Sequence, residues 1–127
     1  MSDFLELYRC NLCFHVVEIC KEGVGELVCC GEKMEKLEEN IANPDNAHFA
    51  NIENISDIEK KITFNHPMTQ EHYIEFVEII SKDLKHIKRK HFSFDDELEM
   101  TIKCNCKNGF DVRLYCNRDG VWKTEIN

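Results

Sequence analysis

Four cysteines near the start of the chain, Cys10, Cys13, Cys29 and Cys30, have the spacing of metal ligands. A Cys-x-x-Cys turn directs two thiolates toward one point, and a second pair roughly fifteen residues later fits a hairpin that returns to that point. Four such thiolates suit one tetrahedral ion, either iron or zinc. Two disulfides in a secreted mini-domain are the alternative, but the first residues lack the basic and apolar regions of a signal peptide.

The second cysteine pair constrains the backbone around it. Neighbouring side chains of an extended strand point in opposite directions, so Cys29 and Cys30 can share one ion only where the chain turns. Gly31 follows directly, and glycine adopts left-handed backbone angles without steric cost. β-branched residues between the two pairs, with Gly23 and Gly25 near the middle, predict that this segment is a hairpin.

A second set of residues has the chemistry of a transition-metal site without an informative spacing. His48, His66, His72 and Cys116 carry imidazole and thiol groups, which are ligands of borderline metals. Pro67 favours an extended backbone at His66, so one loop can present both His66 and His72. Surface histidines and a buried free thiol explain the same residues, and the residue types alone leave both interpretations open.

The elements that must position these residues read as strands. Alternating apolar and polar residues predict a strand over Leu98–Cys104, and Phe110–Cys116 follows an Asn-Gly turn signal as its expected hairpin partner. Ile58–Phe64 and Tyr73–Ile80 are further strand candidates, although a helix also fits the second. Met34–Asn40 is expected to be the polar exit from the cysteine module. The pattern predicts an all-β chain, with a small metal-bound module followed by an antiparallel sandwich.

The chain is acidic, because its 127 residues carry 24 aspartates and glutamates against 16 lysines and arginines, a formal net charge of −8. This charge argues against nucleic acid or an anionic membrane as a partner. No apolar run approaches the length that crosses a bilayer, and we expect a cytoplasmic protein. The basic stretch Lys85–His91 is the exception; it fits a solvated loop or strand edge, or a docking patch for an acidic redox partner.

Five segments together resemble the desulfoferrodoxins, the two-iron form of superoxide reductase, over essentially the whole chain. They are Tyr8–Cys13, Gly25–Gly31, His66–Met68, Glu71–Glu75 and Tyr115–Lys123. The resemblance implies a desulforedoxin-like module at residues 1–37 and an immunoglobulin-like β-sandwich at residues 38–127.

The same resemblance assigns the metal sites. The four early cysteines would hold a rubredoxin-like iron, or zinc, in the first domain. His48, His66 and His72 would be equatorial ligands of a second, reactive non-haem iron, with Cys116 as its axial thiolate. The implied enzyme is a superoxide reductase, which adds one electron and two protons to superoxide and releases hydrogen peroxide. The four-cysteine iron would be an accessory electron store, rubredoxin or a similar protein the donor, and the assembly a homodimer.

The chain departs from the family pattern beside the reactive iron. The family has Cys-Asn-x-His-Gly where this chain has Cys-Asn-Arg-Asp-Gly at 116–120, so Asp119 replaces the fourth histidine and would ligate through oxygen. The family also has Glu-Lys-His where this chain has Asn-Ala-His at 46–48, so the lysine that attracts superoxide is missing and Arg118 or Lys123 would have to supply the charge. These changes motivate a competing hypothesis, a non-catalytic electron-transfer or structural metalloprotein with only the four-cysteine site occupied.

Three cysteines match no ligand position of the family. We expect Cys20 to be a small core residue, and Cys104 to belong to the apolar stripe of its strand. Cys106 forms a Cys-x-Cys pair with Cys104, but two ligands do not make a metal site. His15, His86 and His91 receive no function.

Overall fold

The computed structural model describes residues 3–103 and 108–127. Within these ranges the chain forms thirteen β-strands and no α-helix. Accordingly, no helix of the described ranges is long and apolar enough to cross a membrane. The chain divides into two compact units, the first ending at Glu38 and the second beginning at Glu39. Cys104 and Cys106 lie outside the described residues.

Two small sheets make up the first unit. Its strands are β1 (Leu7–Arg9), β2 (Val16–Glu18), β3 (Val28–Cys29), β4 (Glu32–Lys33) and β5 (Glu35–Leu37). Strand β1 lies between β2 and β5, while β3 and β4 pair only with each other among the described residues. The β1–β2 and β3–β4 hairpins each carry one cysteine pair at or beside the turn.

The hairpin predicted for the segment between the two cysteine pairs is wrong. Strand β2 pairs with β1, and β3 pairs with β4, so the segment is divided between two hairpins. Val24 and Val28 are 87% and 61% exposed, because a unit this small buries few side chains and β-branched residues need not pack. The turn at the second pair is confirmed, since Cys30 and Gly31 have φ angles of 53° and 76°. Two consecutive positive φ angles are typical of a type I′ hairpin turn.

The first unit ends at Glu38, inside the predicted polar exit Met34–Asn40, but this segment is not a plain connection, because it contains β5 and the first two residues of the next strand. Met34 and Leu37 are buried, and β5 pairs with β1. Strand β6 (Glu39–Ile41) opens the second unit. Charged residues dominate the segment, and two isolated apolar side chains do not reveal a strand of three residues.

The second unit contains a five-stranded and a three-stranded sheet. Its remaining strands are β7 (Asn51–Asn54), β8 (Glu59–Thr63), β9 (Ile74–Ser81), β10 (Ile87–His91), β11 (Glu99–Lys103), β12 (Phe110–Cys116) and β13 (Gly120–Ile126). The larger sheet has the order β10-β9-β12-β13-β6, and the smaller has the order β11-β8-β7. All pairs are antiparallel except β13 with β6, which run parallel. The strands predicted at Ile58–Phe64 and Tyr73–Ile80 are confirmed as β8 and β9.

A single apolar core joins the two sheets of this unit. Ile62 and Met100 of the smaller sheet pack with Val77, Val112 and Leu114 of the larger one, and all five are at most 2% exposed. Two sheets packed through such a core form a β-sandwich. The all-β prediction, a small sheet module followed by a sandwich, is therefore confirmed.

The predicted pairing of the strands at Leu98–Cys104 and Phe110–Cys116 is wrong, although both strands exist. Strand β11 pairs with β8 in the smaller sheet, whereas β12 pairs with β9 and β13 in the larger. Strand β12 is buried along six of its seven residues, because it is flanked on both edges and Arg113 and Tyr115 are buried as well. The Asn-Gly signal between the strands marks a turn, but it does not determine the partner.

Candidate metal centres

Three loops and one strand end bring the second set of predicted ligands together. His48 lies between β6 and β7, His66 and His72 lie between β8 and β9, and Asp119 lies in the turn between β12 and β13. Cys116 is the last residue of β12 and is fully buried. Ligand atoms of His48, His66, Cys116 and Asp119 all lie within 4.8 Å of one another.

An irregular strand pairing aims Cys116 at this cluster. Tyr115 is opposite Phe76 of β9, but Cys116 is opposite Ile74, so Glu75 is an extra residue on β9. Such a bulge bends its strand and redirects side chains, and bulges are common beside active sites. The backbone N–H of Asp119 points at the Cys116 Sγ atom, 3.3 Å away, as the chain turns.

The Asp119 carboxylate contacts the other three members of this cluster and also His72, a predicted ligand that lies outside the group within 4.8 Å. Its Oδ2 atom is 3.0 Å from His48 Nε2, 2.9 Å from His72 Nε2 and 3.7 Å from His66 Nε2. The same oxygen is 3.6 Å from Cys116 Sγ. Burial would raise the pKa of Asp119, but its interactions with His72, His48 and Cys116 outweigh burial and lower it.

Backbone and amide oxygens hold two of the imidazoles in a defined orientation. His66 Nδ1 is 2.7 Å from the Pro67 carbonyl oxygen, which can only accept, so Nδ1 carries the proton. His48 Nδ1 is likewise 2.7 Å from Asn46 Oδ1. In each neutral ring the Nε2 lone pair therefore faces the cluster. Two such lone pairs, a carboxylate and a sulfur lie together, and a cation is the group that stabilises this set.

The protonation of these groups also suits a metal ion. Burial lowers the pKa of His48 and His66, and this favours the neutral, ligating form of both rings. Burial raises the pKa of Cys116, although the backbone N–H groups of Arg118 and Asp119 oppose that effect. A bound cation would displace the remaining thiol proton, since the thiolate is the ligand.

Residues outside the predicted set fasten the loops to the cluster. Asn117 accepts a hydrogen bond from the Tyr73 backbone N–H at 2.9 Å and donates one to the Glu71 carbonyl at 3.0 Å. These two bonds hold the backbone on both sides of His72. The Trp122 indole stacks on the His48 ring at 4.7 Å between centroids, and its Nε1–H donates to the Asp119 carbonyl at 2.9 Å. These roles depend on three-dimensional contacts, and residue type alone did not reveal them.

The four cysteines of the first unit form a separate cluster, as predicted. The ligand atoms of Cys10, Cys13, Cys29 and Cys30 lie within 4.8 Å of one another. The Sγ atoms of Cys13 and Cys29 are 3.5 Å apart, and those of Cys29 and Cys30 are 3.8 Å apart. A tetrahedral ion with metal–sulfur bonds of about 2.3 Å requires sulfur atoms about 3.8 Å apart. The cluster therefore has the dimensions of a closed four-thiolate site.

The cysteine protons also indicate a cation site. Backbone N–H groups of Cys13 and Leu12 lower the pKa of Cys10 to about 6. Hydrogen bonds with Cys13, Cys10 and Cys30 raise the pKa of Cys29 to about 12. Full deprotonation of the four thiols thus needs a positive charge at their centre.

The remaining cysteine and histidine predictions have mixed outcomes. Cys20 is exposed, so the expectation of a core residue is wrong; its Sγ lies 4.0 Å from the Glu18 carbonyl oxygen, outside the apolar cluster. His15, His86 and His91 are exposed and join neither metal-binding cluster of the described residues.

Comparison with known proteins identifies the family. Residues 2–37 match the family described as desulfoferrodoxin, N-terminal domain, and residues 36–125 match the one described as desulfoferrodoxin. The chain belongs to the desulfoferrodoxin family. The desulfoferrodoxin of Syntrophotalea carbinolica is 37% identical over 128 residues, which cover 98% of this chain and 99% of that protein. The resemblance inferred from the motifs is confirmed.

A shorter relative and a solved structure extend the comparison. The desulforedoxin of Megalodesulfovibrio gigas is 55% identical over 36 residues, which are 28% of this chain and 97% of that protein. The crystal structure of the superoxide reductase from Treponema pallidum has a TM-score of 0.71 at 22% identity and covers 94% of this chain and 96% of that one. This structural likeness supports the fold. In a desulfoferrodoxin, the four-cysteine cluster and the histidine, cysteine and aspartate cluster both fit iron.

Proposed function

We propose that this chain is a superoxide reductase, which adds one electron and two protons to superoxide and releases hydrogen peroxide. The observation that carries the proposal is the convergence of three imidazole Nε2 atoms, a buried thiol and a carboxylate in a desulfoferrodoxin-family sandwich. We assign the reactive centre to His48, His66, His72 and Cys116, with Asp119 as a further ligand. We assign the accessory ion, iron or zinc, to Cys10, Cys13, Cys29 and Cys30. This accessory site belongs to a first domain at residues 1–37, and the reactive centre belongs to a second domain at residues 38–127.

Iron in the reactive centre supplies the one-electron chemistry. The protein's contribution is to hold neutral imidazoles with their Nε2 atoms inward and to direct two backbone N–H groups at the Cys116 sulfur. Hydrogen bonds to a thiolate sulfur stabilise its charge and tune the potential of the metal that it binds. The side chains of His72 and Asp119 are 30% and 38% exposed, so the substrate and solvent protons can reach this side of the cluster.

A positive charge beside this opening favours an anionic substrate in an acidic chain. Arg118 lies next to Asp119 and donates through Nε to the Glu71 carbonyl, 2.9 Å away and one residue before His72. Both cations are paired, Arg118 with Glu71 at 3.8 Å and Lys123 with Glu39 at 3.5 Å, so pairing does not distinguish them. Lys123, however, follows Trp122, whose side chain faces the cluster. Successive residues of a strand face opposite sides of the sheet. We therefore assign to Arg118, not Lys123, the role of attracting superoxide.

The expected setting follows from the family. We propose a rubredoxin-like electron donor, a cytoplasmic location and a homodimer. Iron held by the four cysteines would be an accessory electron store, and the donor protein would supply its electrons.

Metal content per chain tests the proposal most directly. We expect two irons in the anaerobically purified chain and one in the Cys116→Ala variant, measured by mass spectrometry. Cys20→Ala is the matched control, because Cys20 is exposed and belongs to neither cluster, and it should retain two. Pulse radiolysis of the two-iron protein should then give one peroxide per superoxide consumed. One metal in all three proteins would overturn the proposal in favour of a non-catalytic metalloprotein.

A further inference from the structure

Asn46 makes two contacts to the same neighbour, His48. Its Oδ1 atom lies 2.7 Å from the His48 backbone nitrogen and 2.7 Å from the ring Nδ1. Asn46 is half-buried in the loop between β6 and β7, and its own backbone nitrogen donates to the Asn43 carbonyl at 2.9 Å. The loop thus fixes the amide, and the amide fixes the imidazole.

The backbone contact establishes which amide atom faces the ring. A backbone N–H can only donate, so the Asn46 atom beside it is the carbonyl oxygen and not the amide nitrogen. Because this oxygen can only accept a hydrogen bond, the His48 Nδ1 atom, 2.7 Å from it, must carry a proton. His48 therefore carries its proton on Nδ1 and presents the Nε2 lone pair, the atom 3.0 Å from Asp119.

Trp122 fixes the remaining freedom of the ring. The indole and imidazole planes are 7° apart with centroids 4.7 Å apart, so the imidazole cannot rotate about its long axis without losing this stack. Asn46 specifies the protonated nitrogen, and Trp122 specifies the plane. Both constraints come from residues that contact the ligand and do not belong to the donor cluster.

We propose that Asn46 is a positioning residue of the reactive centre, which selects the Nδ1-protonated form of His48 and so presents Nε2 to the metal. The proposal deepens the function assigned above and rests on it for the identity of the metal. Outer hydrogen bonds to a ligating histidine commonly contribute roughly 10- to 100-fold in metal affinity. The hydrogen bond is expected to have that effect here.

Nitrogen NMR of the zinc-loaded full chain tests the first half of the proposal. In the wild type we expect a proton on His48 Nδ1 that exchanges slowly with solvent, whether or not zinc occupies the reactive centre. Asn46→Ala should lose this protection, while Asn46→Asp keeps an acceptor oxygen and should retain it. An unprotonated Nδ1 in the wild type, a measurement that needs no variant, would refute the proposal.

Chelator competition tests the second half. We expect Asn46→Ala to lose the zinc of the reactive centre at roughly 10- to 100-fold lower chelator concentration than the wild type. Asn43→Ala is the control from the same loop, because the Asn43 side chain also accepts a backbone hydrogen bond, from Asp45, but contacts no ligand. Equal weakening in both variants would mean that the loop, and not the Asn46 contact, matters, and would overturn the proposal.

The two experiments separate this inference from the function on which it rests. A wild type that binds one zinc but shows the protected Nδ1 proton would overturn the metal assignment and support the role of Asn46 in orienting His48. The opposite outcome is a wild type that binds two metals and reduces superoxide. If Asn46→Ala then leaves metal binding, activity and the protection of the Nδ1 proton unchanged, the inference is overturned and the function is retained.

Discussion

Asp119 is the residue that distinguishes this centre from a site built of four histidines. An imidazole is a neutral donor, whereas a carboxylate brings a negative charge and a hard oxygen. Its Oδ2 lies within 3.7 Å of all three Nε2 atoms and of Cys116 Sγ, so any ion that these groups bind will be close to the charge. An anionic donor stabilises the ferric state relative to the ferrous state.

The variant Asp119→Asn should therefore bind iron less tightly, by at least roughly tenfold, and raise the reduction potential of the reactive centre. Redox titration of the charge-transfer absorption of that centre measures the potential. Asp111→Asn serves as the control, because Asp111 lies on β12 and its side chain pairs with Lys82, outside the cluster. An unchanged potential in the Asp119 variant would show that the carboxylate does not ligate.

The sequence predicts which residues can bind metal better than it predicts which residues orient those ligands. Thiols and imidazoles are the usual ligands of iron and zinc, and the spacing of the four early cysteines was enough to predict their site. The histidine and Cys116 set has no such spacing, and only the family resemblance united it. Asn46, Asn117 and Trp122 act through hydrogen bonds and stacking. The contacts of Asn117 and Trp122 exist only once separate loops have folded together, and no local pattern predicts them. The Asn46 contact is local, but residue type alone does not reveal that the amide faces the His48 ring.

At the scale of the strands, a buried ion pair lies at the centre of the larger sheet. Arg113 of β12 donates to Glu78 of β9 through Nε and Nη2, at 2.9 and 2.7 Å, and the two residues are 2% and 0% exposed. Arg89 of the edge strand β10 donates to the other oxygen of Glu78 at 3.0 Å. One carboxylate thus links three neighbouring strands.

The variant Glu78→Gln should lower the free energy of unfolding of the second unit by about 3 to 5 kcal/mol, because Arg113 and Arg89 both lose their buried counter-charge. Arg113 would keep only Glu39, which is 38% exposed. Urea denaturation followed by the fluorescence of Trp122, the only tryptophan, measures the change. Glu99→Gln is the control, since its partner Lys61 is 34% exposed at 3.2 Å, and we expect a loss below about 1 kcal/mol. Similar losses in both variants would contradict the structural role of the buried pair.

Strand positions were predictable, but strand partners were not. The alternation of apolar and polar side chains located β11 and β12, because burial on one face repeats every second residue. Strand β9 was predicted from its β-branched and aromatic residues, which also left a helix open. Partners depend on contacts between residues far apart in the sequence, which explains why β11 joins β8 and not β12. The basic stretch is confirmed as an exposed edge strand, in which Lys88 and Lys90 donate to the Thr101 and Glu99 carbonyls. Its docking role stays a prediction.

At the scale of the whole molecule, the two units differ in how they can be stabilised. The first buries only a few large apolar side chains, namely Leu5, Leu7, Ile19, Met34 and Leu37. Units below about 40 residues usually need a metal or disulfides to remain folded. In the described part of the second unit, a continuous core of thirteen buried residues is drawn from both sheets and their loops.

Removal of metal should therefore unfold one unit and spare the other. We expect a chelator to abolish hydrogen-exchange protection in β1 to β5, because the bound ion supplies much of their folding free energy. Amides of β9 and β12 should remain protected, and zinc should restore the first unit. Persistent protection of β1 in chain shown to be metal-free would contradict the dependence.

The parallel pairing of β6 with β13 orders events during synthesis on the ribosome. Strand β6 has β13 as its sole partner among the described strands, and eighty-odd residues separate them along the chain. Cys116 and Asp119 also emerge late. All four cysteines of the first unit have left the exit tunnel long before, so that centre can take its ion while translation continues. The proposed reactive centre needs Cys116 and Asp119, so its residues can meet only after the four-cysteine cluster has been made.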